Sequence, residues 1–321
     1  MDLLIADPFI TPERIGPHLG PDWRILTPGT VTDPERVLAV VTESDGFAAA
    51  EAERFPNLRV VVTASTGTDY LDLPALTALG ITVFNVPDYC TEEVSDHALA
   101  AGLGLLRNLP RYAEQHRDGA WDVSGSRELR RFSATTVAVI GLGRIGAATI
   151  RKFRALGMSV VAVSASGADP APGQERAGAP VRTLAAALPA ADLVVLAGAA
   201  RPGLPPVLDA DALALLAPHA AVVNVARAAL ADLDALCAAL GSGALRAAWF
   251  DVWDAEPPRA DDTRTRTPGL FFSPHVGWAS REAEADLWRL AAAAVRVGAG
   301  EAHPFAPVAE PAAEPGQSTP S

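Results

Sequence analysis

Cysteine is scarce: Cys90 and Cys237 are the only two in 321 residues, they stand far apart, and each lies in an apolar context. Neither a disulfide framework nor a CxxC metal or redox motif follows from such a pair, and a reducing compartment suits it. Basic side chains are in deficit as well, 26 Lys and Arg against 38 Asp and Glu, for a formal charge of −12. A surface field of that sign repels polyanions, which argues against nucleic acid as a partner. Apolar runs stay well short of the ~18 residues of a membrane span. The first residues, Met1 to Asp7, lack a basic n-region and read as a strand and not as a signal peptide. These absences predict a cytoplasmic chain that binds neither membrane nor metal. No tandem repeat is visible.

What is present points to a folded, two-domain protein. The composition is 49% apolar and 20% charged, ordinary for a chain that buries a core. A length of 321 residues exceeds the roughly 250–300 at which single cores stop growing, so two domains with a cleft between them are expected. Because the global field will not steer a small anion into that cleft, a local cation has to capture it.

Along the first hundred residues, short apolar runs at 3–5, 37–41, 58–62 and 81–84 alternate with turns and helical stretches such as 74–79. This βα rhythm implies a parallel sheet. A helix is predicted from about Val94 to Leu106, with Asn108 and Pro110 ending it. A second βα series has strands at 135–140, 160–163, 193–196, 221–225 and 247–251, the spacing of a doubly wound sheet. A strong helix covers 281–298, and a tail of Pro, Ala and Glu follows.

Gly141-Leu142-Gly143-Arg144-Ile145-Gly146 is a GxGxxG between a strand and a helix. In that context the first glycine makes the turn, the second lets backbone approach a pyrophosphate, and the third lets helix pack on strand. The second strand of such a unit usually ends in an acid that holds the adenosine ribose; here Ser164 stands there, and no Lys or Arg follows until Arg176. NAD and NADP both stay open.

Three residues beyond the glycine turn carry chemistry a dinucleotide enzyme can use: a cation to grip an anion, a group to give or take a proton, and a carboxyl to tune that group. Arg227 follows a parallel strand, where α/β sheets bind ligands, and its guanidinium suits a two-point carboxylate grip. His275, flanked by Pro274 and Gly277, has loop chemistry and an ordinary pKa near ~6.5, suited to giving or taking a proton. Glu256 is a candidate to hold one imidazole nitrogen and favour the charged ring. Each also has a bland reading, as a surface ion pair, a solvated carboxylate or a turn histidine.

Together, the GLGRIG at 141–146, the NVAR at 224–227, the DVWDAEP at 251–257 and the SPHVGWAS at 273–280 resemble the signatures of the D-isomer-specific 2-hydroxyacid dehydrogenases. The stretches 64–72 and 85–94 are similar to that family's substrate-domain motifs, and the resemblance runs from about Val60 to Arg289. It implies an α/β protein of two doubly wound parallel-sheet domains. A flavodoxin-like substrate domain would span residues 1–100 and 283–306, a Rossmann NAD(P)-binding domain 101–282, and a disordered tail 307–321.

By the same resemblance Arg227, Glu256 and His275 match the catalytic set, and Ser65, Thr66 and Gly67 a loop that helps hold the substrate carboxylate. Gly141, Gly143, Arg144, Ile145 and Gly146 match the pyrophosphate turn, with Ser164 and Ala226 beside the cofactor and Asp251 at the nicotinamide carboxamide. The expected reaction moves a hydride between the nicotinamide and C2 of a small 2-hydroxy or 2-oxo acid such as glyoxylate or hydroxypyruvate, in a homodimer.

Two stretches depart from the family pattern. Ala228 and Ala229 follow the arginine where glycine is usual, which would strain any backbone needing positive φ. Ala197 and Arg201 stand where polar His and Thr side chains are common, and Arg201 is a candidate for a cofactor phosphate. Two alternatives share the fold: a dinucleotide-sensing, co-repressor-like interaction protein, and a formate- or phosphite-type dehydrogenase.

Overall fold

The computed structural model describes residues 1–43, 46–123, 126, 129–165, 170–200 and 203–311. Two compact units emerge: Met1–Tyr89 with the described residues from Ser280 on, and Cys90–Ala279. The expected boundary at residue 100 would cut the helix Thr91–Leu106, which lies whole in the second unit. The cause is its packing: a Cβ on Gly102 would meet Leu193 and Phe153 side chains at 2.8 and 2.9 Å, so this face beds on the second sheet.

In the first unit the strands are β1 (Asp2–Ile5), β2 (Arg24–Leu26), β3 (Val37–Thr42), β4 (Val60–Thr63) and β5 (Thr82–Asn85), in the order β2-β1-β3-β4-β5. All pair in parallel, and that order is the flavodoxin-like one. Runs such as Val37–Thr42 are apolar almost throughout, as strands buried on both faces must be. One face meets Leu287, Trp288, Ala291 and Val295 of the helix Arg281–Val295, and the other packs on Phe47, Phe55, Leu76 and Ile81.

Residues 307–311, expected to belong to a tail, are instead held against the first sheet. Val83 donates its amide to the Ala309 carbonyl at 2.8 Å, and Val308 donates to the Val83 carbonyl at 2.9 Å. Edge strand β5 had backbone groups to satisfy, and an apolar pair lay within reach. Residues 312–321 of that expected tail lie outside the described residues.

The second unit holds β6 (Thr136–Ile140), β7 (Ser159–Val163), β8 (Glu175–Arg176), β9 (Ala179–Arg182), β10 (Leu193–Leu196), β11 (Ala221–Asn224), β12 (Ala247–Phe250) and β13 (Leu270–Phe272). Their order is β13-β12-β11-β10-β6-β7-β9-β8, parallel except for the β8–β9 hairpin. This is the Rossmann arrangement, with the strand order reversing between β6 and β10. Pro110 opens a further helix, Leu109–Arg117, after Asn108 turns the chain at φ 59°. A proline ring fits a first helical turn, whose amides lack intrahelical partners. Among the described residues no helix is long and apolar enough to cross a membrane.

Candidate active site

Register sets the site. Val163, Ile140, Leu196, Asn224, Phe250 and Phe272 are successive Cα partners across β7, β6, β10, β11, β12 and β13. Parallel strands that end on one line deliver their following loops to one edge, so Ser164, Gly141, Ala197, Arg227, Asp251 and His275 all issue there. At ~4.8 Å per strand, Ser164 emerges roughly 24 Å along that edge from the loop after β13.

The glycine turn is shaped for an anion. A Cβ on Gly141 would lie 2.6 Å from the Ala197 carbonyl, and one on Gly146 would lie 2.0 Å from the Gly141 carbonyl, so both glycines are fixed by the chain itself. Gly143 differs: a Cβ there meets nothing within 4 Å, and its φ of −72° suits any residue. A glycine that the protein does not need is explained by a ligand's approach. Gly143 caps the twelve-residue helix Arg144–Ala155 without a side-chain acceptor, and no acidic residue occupies its first turn. The helix start, with Arg144 and Ile145, therefore presents positive potential to open space, which fits a pyrophosphate. Ala197 and Gly198 press on Gly141 through backbone, and a Cβ on Gly198 would meet the Ala165 Cβ at 2.5 Å, so glycine is steric in origin at both 141 and 198, while these contacts do not account for alanine at 197. Arg201, the other departure, lies outside the described residues.

At the other end of the edge three groups converge. Asn224 holds the arginine's backbone, donating through Nδ2 to the Arg227 carbonyl at 2.9 Å and accepting the Ala226 amide at 3.0 Å. Arg227 Nη1 donates to the Ala226 carbonyl at 2.9 Å. Ala228 and Ala229 form a 3-10 turn after it and are absent from the positive-φ positions, so the strain expected of them does not arise. Glu256 Oε1 accepts the Trp253 amide at 2.8 Å, and its Oε2 accepts from His275 Nδ1 at 2.6 Å. That leaves Nε2 as the imidazole nitrogen with work to do.

Electrostatics follows this geometry. The hydrogen bond to Glu256 lifts the His275 pKa above its ordinary 6.5; burial and the Arg227 charge oppose this, while the Glu256 and Asp251 charges assist. For Glu256, burial pulls upward but is outweighed by the His275 hydrogen bond, the Trp253 amide and the His275 and Arg227 charges, so its carboxyl sits below 4.5. The three side chains thus lie within one another's fields. Their order along the chain gives no hint of this; the parallel register does.

Asp251 is the brace of the His275 loop. It is 3% exposed, and its oxygens accept the Ser273 hydroxyl at 2.6 Å, the Val276 amide at 3.0 Å and the Gly277 amide at 2.7 Å. The Ser273 hydroxyl in turn accepts from Trp249 Nε1 at 3.1 Å and His97 Nε2 at 2.9 Å. His275 donates its amide to the Asp251 carbonyl at 2.8 Å and adopts φ 52°, a left-handed backbone that only such surroundings impose on histidine. Sequence reading missed Ser273, His97, Trp249 and Asn224 as supports. Ser273 and Asn224 sit inside the singled-out motifs, whereas His97 and Trp249 carry no local signal.

Within the first unit, Ser65, Thr66 and Gly67 form a pinned turn. Ser65 Oγ donates to the Gly67 carbonyl at 2.7 Å and bonds the Tyr70 hydroxyl, while Asn85 Nδ2 donates to the Thr66 carbonyl at 2.7 Å. The serine hydroxyl is engaged in shaping the loop.

A family model described as the D-isomer specific 2-hydroxyacid dehydrogenase, NAD binding domain, matches residues 99–277, more than half of the chain. The chain belongs to the D-isomer-specific 2-hydroxyacid dehydrogenases. It is similar to glycerate dehydrogenase of Methylorubrum extorquens, 31% identical over 238 residues, 72% of this chain and 73% of that protein. It is 32% identical over 263 residues to D-3-phosphoglycerate dehydrogenase of Mycobacterium tuberculosis, 78% of this chain and 48% of that protein, so it spans about half the length of that relative. Among solved structures, the NADPH-dependent glyoxylate/hydroxypyruvate reductase of Sinorhizobium meliloti superposes with a TM-score of 0.82 at 27% identity, covering 96% of this chain and 97% of that one. The names these relatives carry do not favour the co-repressor-like and formate- or phosphite-type readings of this 2-hydroxyacid dehydrogenase family member.

Proposed function

We propose that this chain reduces a small 2-oxo acid, or oxidises the matching 2-hydroxy acid, with glyoxylate and hydroxypyruvate as first candidates. The nicotinamide dinucleotide, NAD or NADP, supplies or accepts the hydride when bound. The observation that carries the reading is the hydrogen bond between His275 Nδ1 and Glu256 Oε2, 2.6 Å long, with the Arg227 charge acting on both partners. Arg227 grips the substrate carboxylate. His275 delivers a proton from Nε2 to the carbonyl oxygen in reduction and removes it in oxidation. Glu256 orients the ring and keeps it charged to higher pH. Gly141, Gly143 and Gly146 with the helix start at Arg144 and Ile145 hold the pyrophosphate, with Ser164 and Ala226 nearby.

For the carboxamide contact of Asp251, for a share of the Ser65-Thr66-Gly67 turn in holding the carboxylate, and for a homodimer, the support is family resemblance; for the cytoplasm it is the two cysteines far apart in the sequence and the first residues without a basic n-region. The test is a panel of glyoxylate, hydroxypyruvate, pyruvate and bulkier 2-oxo acids with NADH and NADPH, following loss of reduced nicotinamide. At least one acid is expected to turn over, and His275→Ala to abolish turnover while dinucleotide binding persists. Activity surviving in that variant would end the assignment of the proton donor.

A further inference from the structure

Strand β7 ends at Val163, and Ser164 brings a neutral hydroxyl to the position from which a Rossmann sheet addresses the adenosine ribose. From the neighbouring β8–β9 hairpin, Arg176 reaches back to the glycine turn: its Nη2 donates to the Gly143 carbonyl at 3.2 Å, and its Nε is buried with no hydrogen-bond partner among the described residues. Gly143 is the glycine over which space is open. A guanidinium therefore stands at the rim of the pyrophosphate turn, beside the strand that serves the adenosine half.

Tethering the hairpin is an incomplete account of this arginine. The hairpin is already fixed by Arg154, whose Nη1 donates to the Ala177 carbonyl at 2.9 Å, and by β9 pairing with β7 at Ala162↔Val181 and Val163↔Arg182. The bond to Gly143 is long for an N–H···O contact and uses one of five donors on a neutral acceptor. Such a group is undersatisfied, and a phosphate dianion would take two donors at once. Arg182, exposed and in register with Val163, adds a second cation to the same side. The charge a ribose-binding acid would bring, which disfavours a 2′-phosphate, is missing at Ser164.

We propose that Arg176 is the specificity-determining residue for an adenosine 2′-phosphate, so that this chain takes NADPH in preference to NADH. The inference rests on the proposed function for the presence of a dinucleotide.

Calorimetric titrations of the full chain with two ligand pairs test it: NADPH against NADH, and adenosine 2′,5′-bisphosphate against 5′-AMP. The wild-type chain is expected to favour the 2′-phosphorylated member of each pair by about 10- to 100-fold, the worth of a charge-assisted hydrogen-bond pair, and less so in high salt. Arg176→Ala is expected to erase that preference by weakening NADPH, leaving NADH within about twofold, and Arg176→Lys to retain part of it. Equal affinities in the wild-type chain, a preference for NADH, or an equal loss of both dinucleotides in Arg176→Ala would overturn the proposal while leaving the proposed function standing. Binding of neither dinucleotide to the wild-type chain would instead sink the function itself. The wild-type comparison needs no variant to fold.

Discussion

Gly277→Ala isolates what the Asp251 brace does for His275. A Cβ at residue 277 would sit 2.7 Å from Asp251 Oδ2 and 3.5 Å from the His97 ring, where ordinary contact begins at 3.4 Å. The shortfall to Oδ2, 3.4 minus 2.7 or about 0.7 Å, falls on a buried carboxylate that also holds the Val276 amide and the Ser273 hydroxyl. Something in the 275–277 loop has to shift by that distance, and the 2.7 Å bond from the Gly277 amide is lost or stretched. A hydrogen bond to a charged acceptor is worth about 1.5–3 kcal/mol, which in a unit of this size lowers Tm by roughly 3–10 °C. Misplacing a proton donor by most of an ångström costs on the order of 10- to 100-fold in rate. The expected outcome is therefore a kcat lower by that factor, a lower melting temperature, and retained dinucleotide binding, weakened by no more than the proposed Asp251 carboxamide contact, since the glycine turn at 141–146 is untouched. Steady-state kinetics, a thermal melt and a binding titration read the three quantities. A variant with wild-type kcat and a lowered Tm would show that the brace stabilises the unit without setting the imidazole, and Asp251 would lose its positioning role.

Glu256→Gln keeps an acceptor for His275 Nδ1 but removes the charge that helps hold the ring protonated. Reduction needs the charged imidazole, so its rate falls as pH rises through the His275 pKa; that limb of the profile should move to lower pH in the variant, and an unmoved limb would refute the coupling. In stability the raised His275 pKa contributes fully below 6.5 and is lost above it, while the lowered Glu256 pKa contributes above 4.5 and is lost as pH falls. The pair should thus stabilise most between those values, and pH-dependent melts of wild type against Glu256→Gln should differ most there. Gly146→Ala puts a Cβ 2.0 Å from the Gly141 carbonyl, a backbone atom with nowhere to go; loss of dinucleotide binding, or of the fold, is expected, and tight binding by titration would contradict the reading of the turn.

Legibility in the sequence followed the range of the physics. Apolar runs that stay apolar because both sheet faces are covered, such as those at β4, β10 and β11, were visible one by one. Strands β2, β9 and β13 were not: β2 and β13 are only three residues long, and β9, Ala-Pro-Val-Arg, is broken by Pro180 and ends in a charge, so no apolar run marks them. The glycine turn could be read because its constraint is local. That Arg227, Glu256 and His275 share one field comes from register between β11, β12 and β13, which no single stretch encodes. Likewise, nothing around Arg176 suggests that a two-residue strand would fold it back onto Gly143.

The bonds between Val83 and residues 308 and 309 have a consequence for how copies of this chain behave toward each other. A terminal strand with bare amides and carbonyls templates pairing with foreign chains, the route to fibrillar or swapped aggregates. Here two residues occupy the middle of that template, and Pro304, Pro307 and Pro311 on either side cannot donate an amide and so halt any extension of the ladder. The first sheet carries its own terminator, short enough to seal the exposed rail and too interrupted to become a new one.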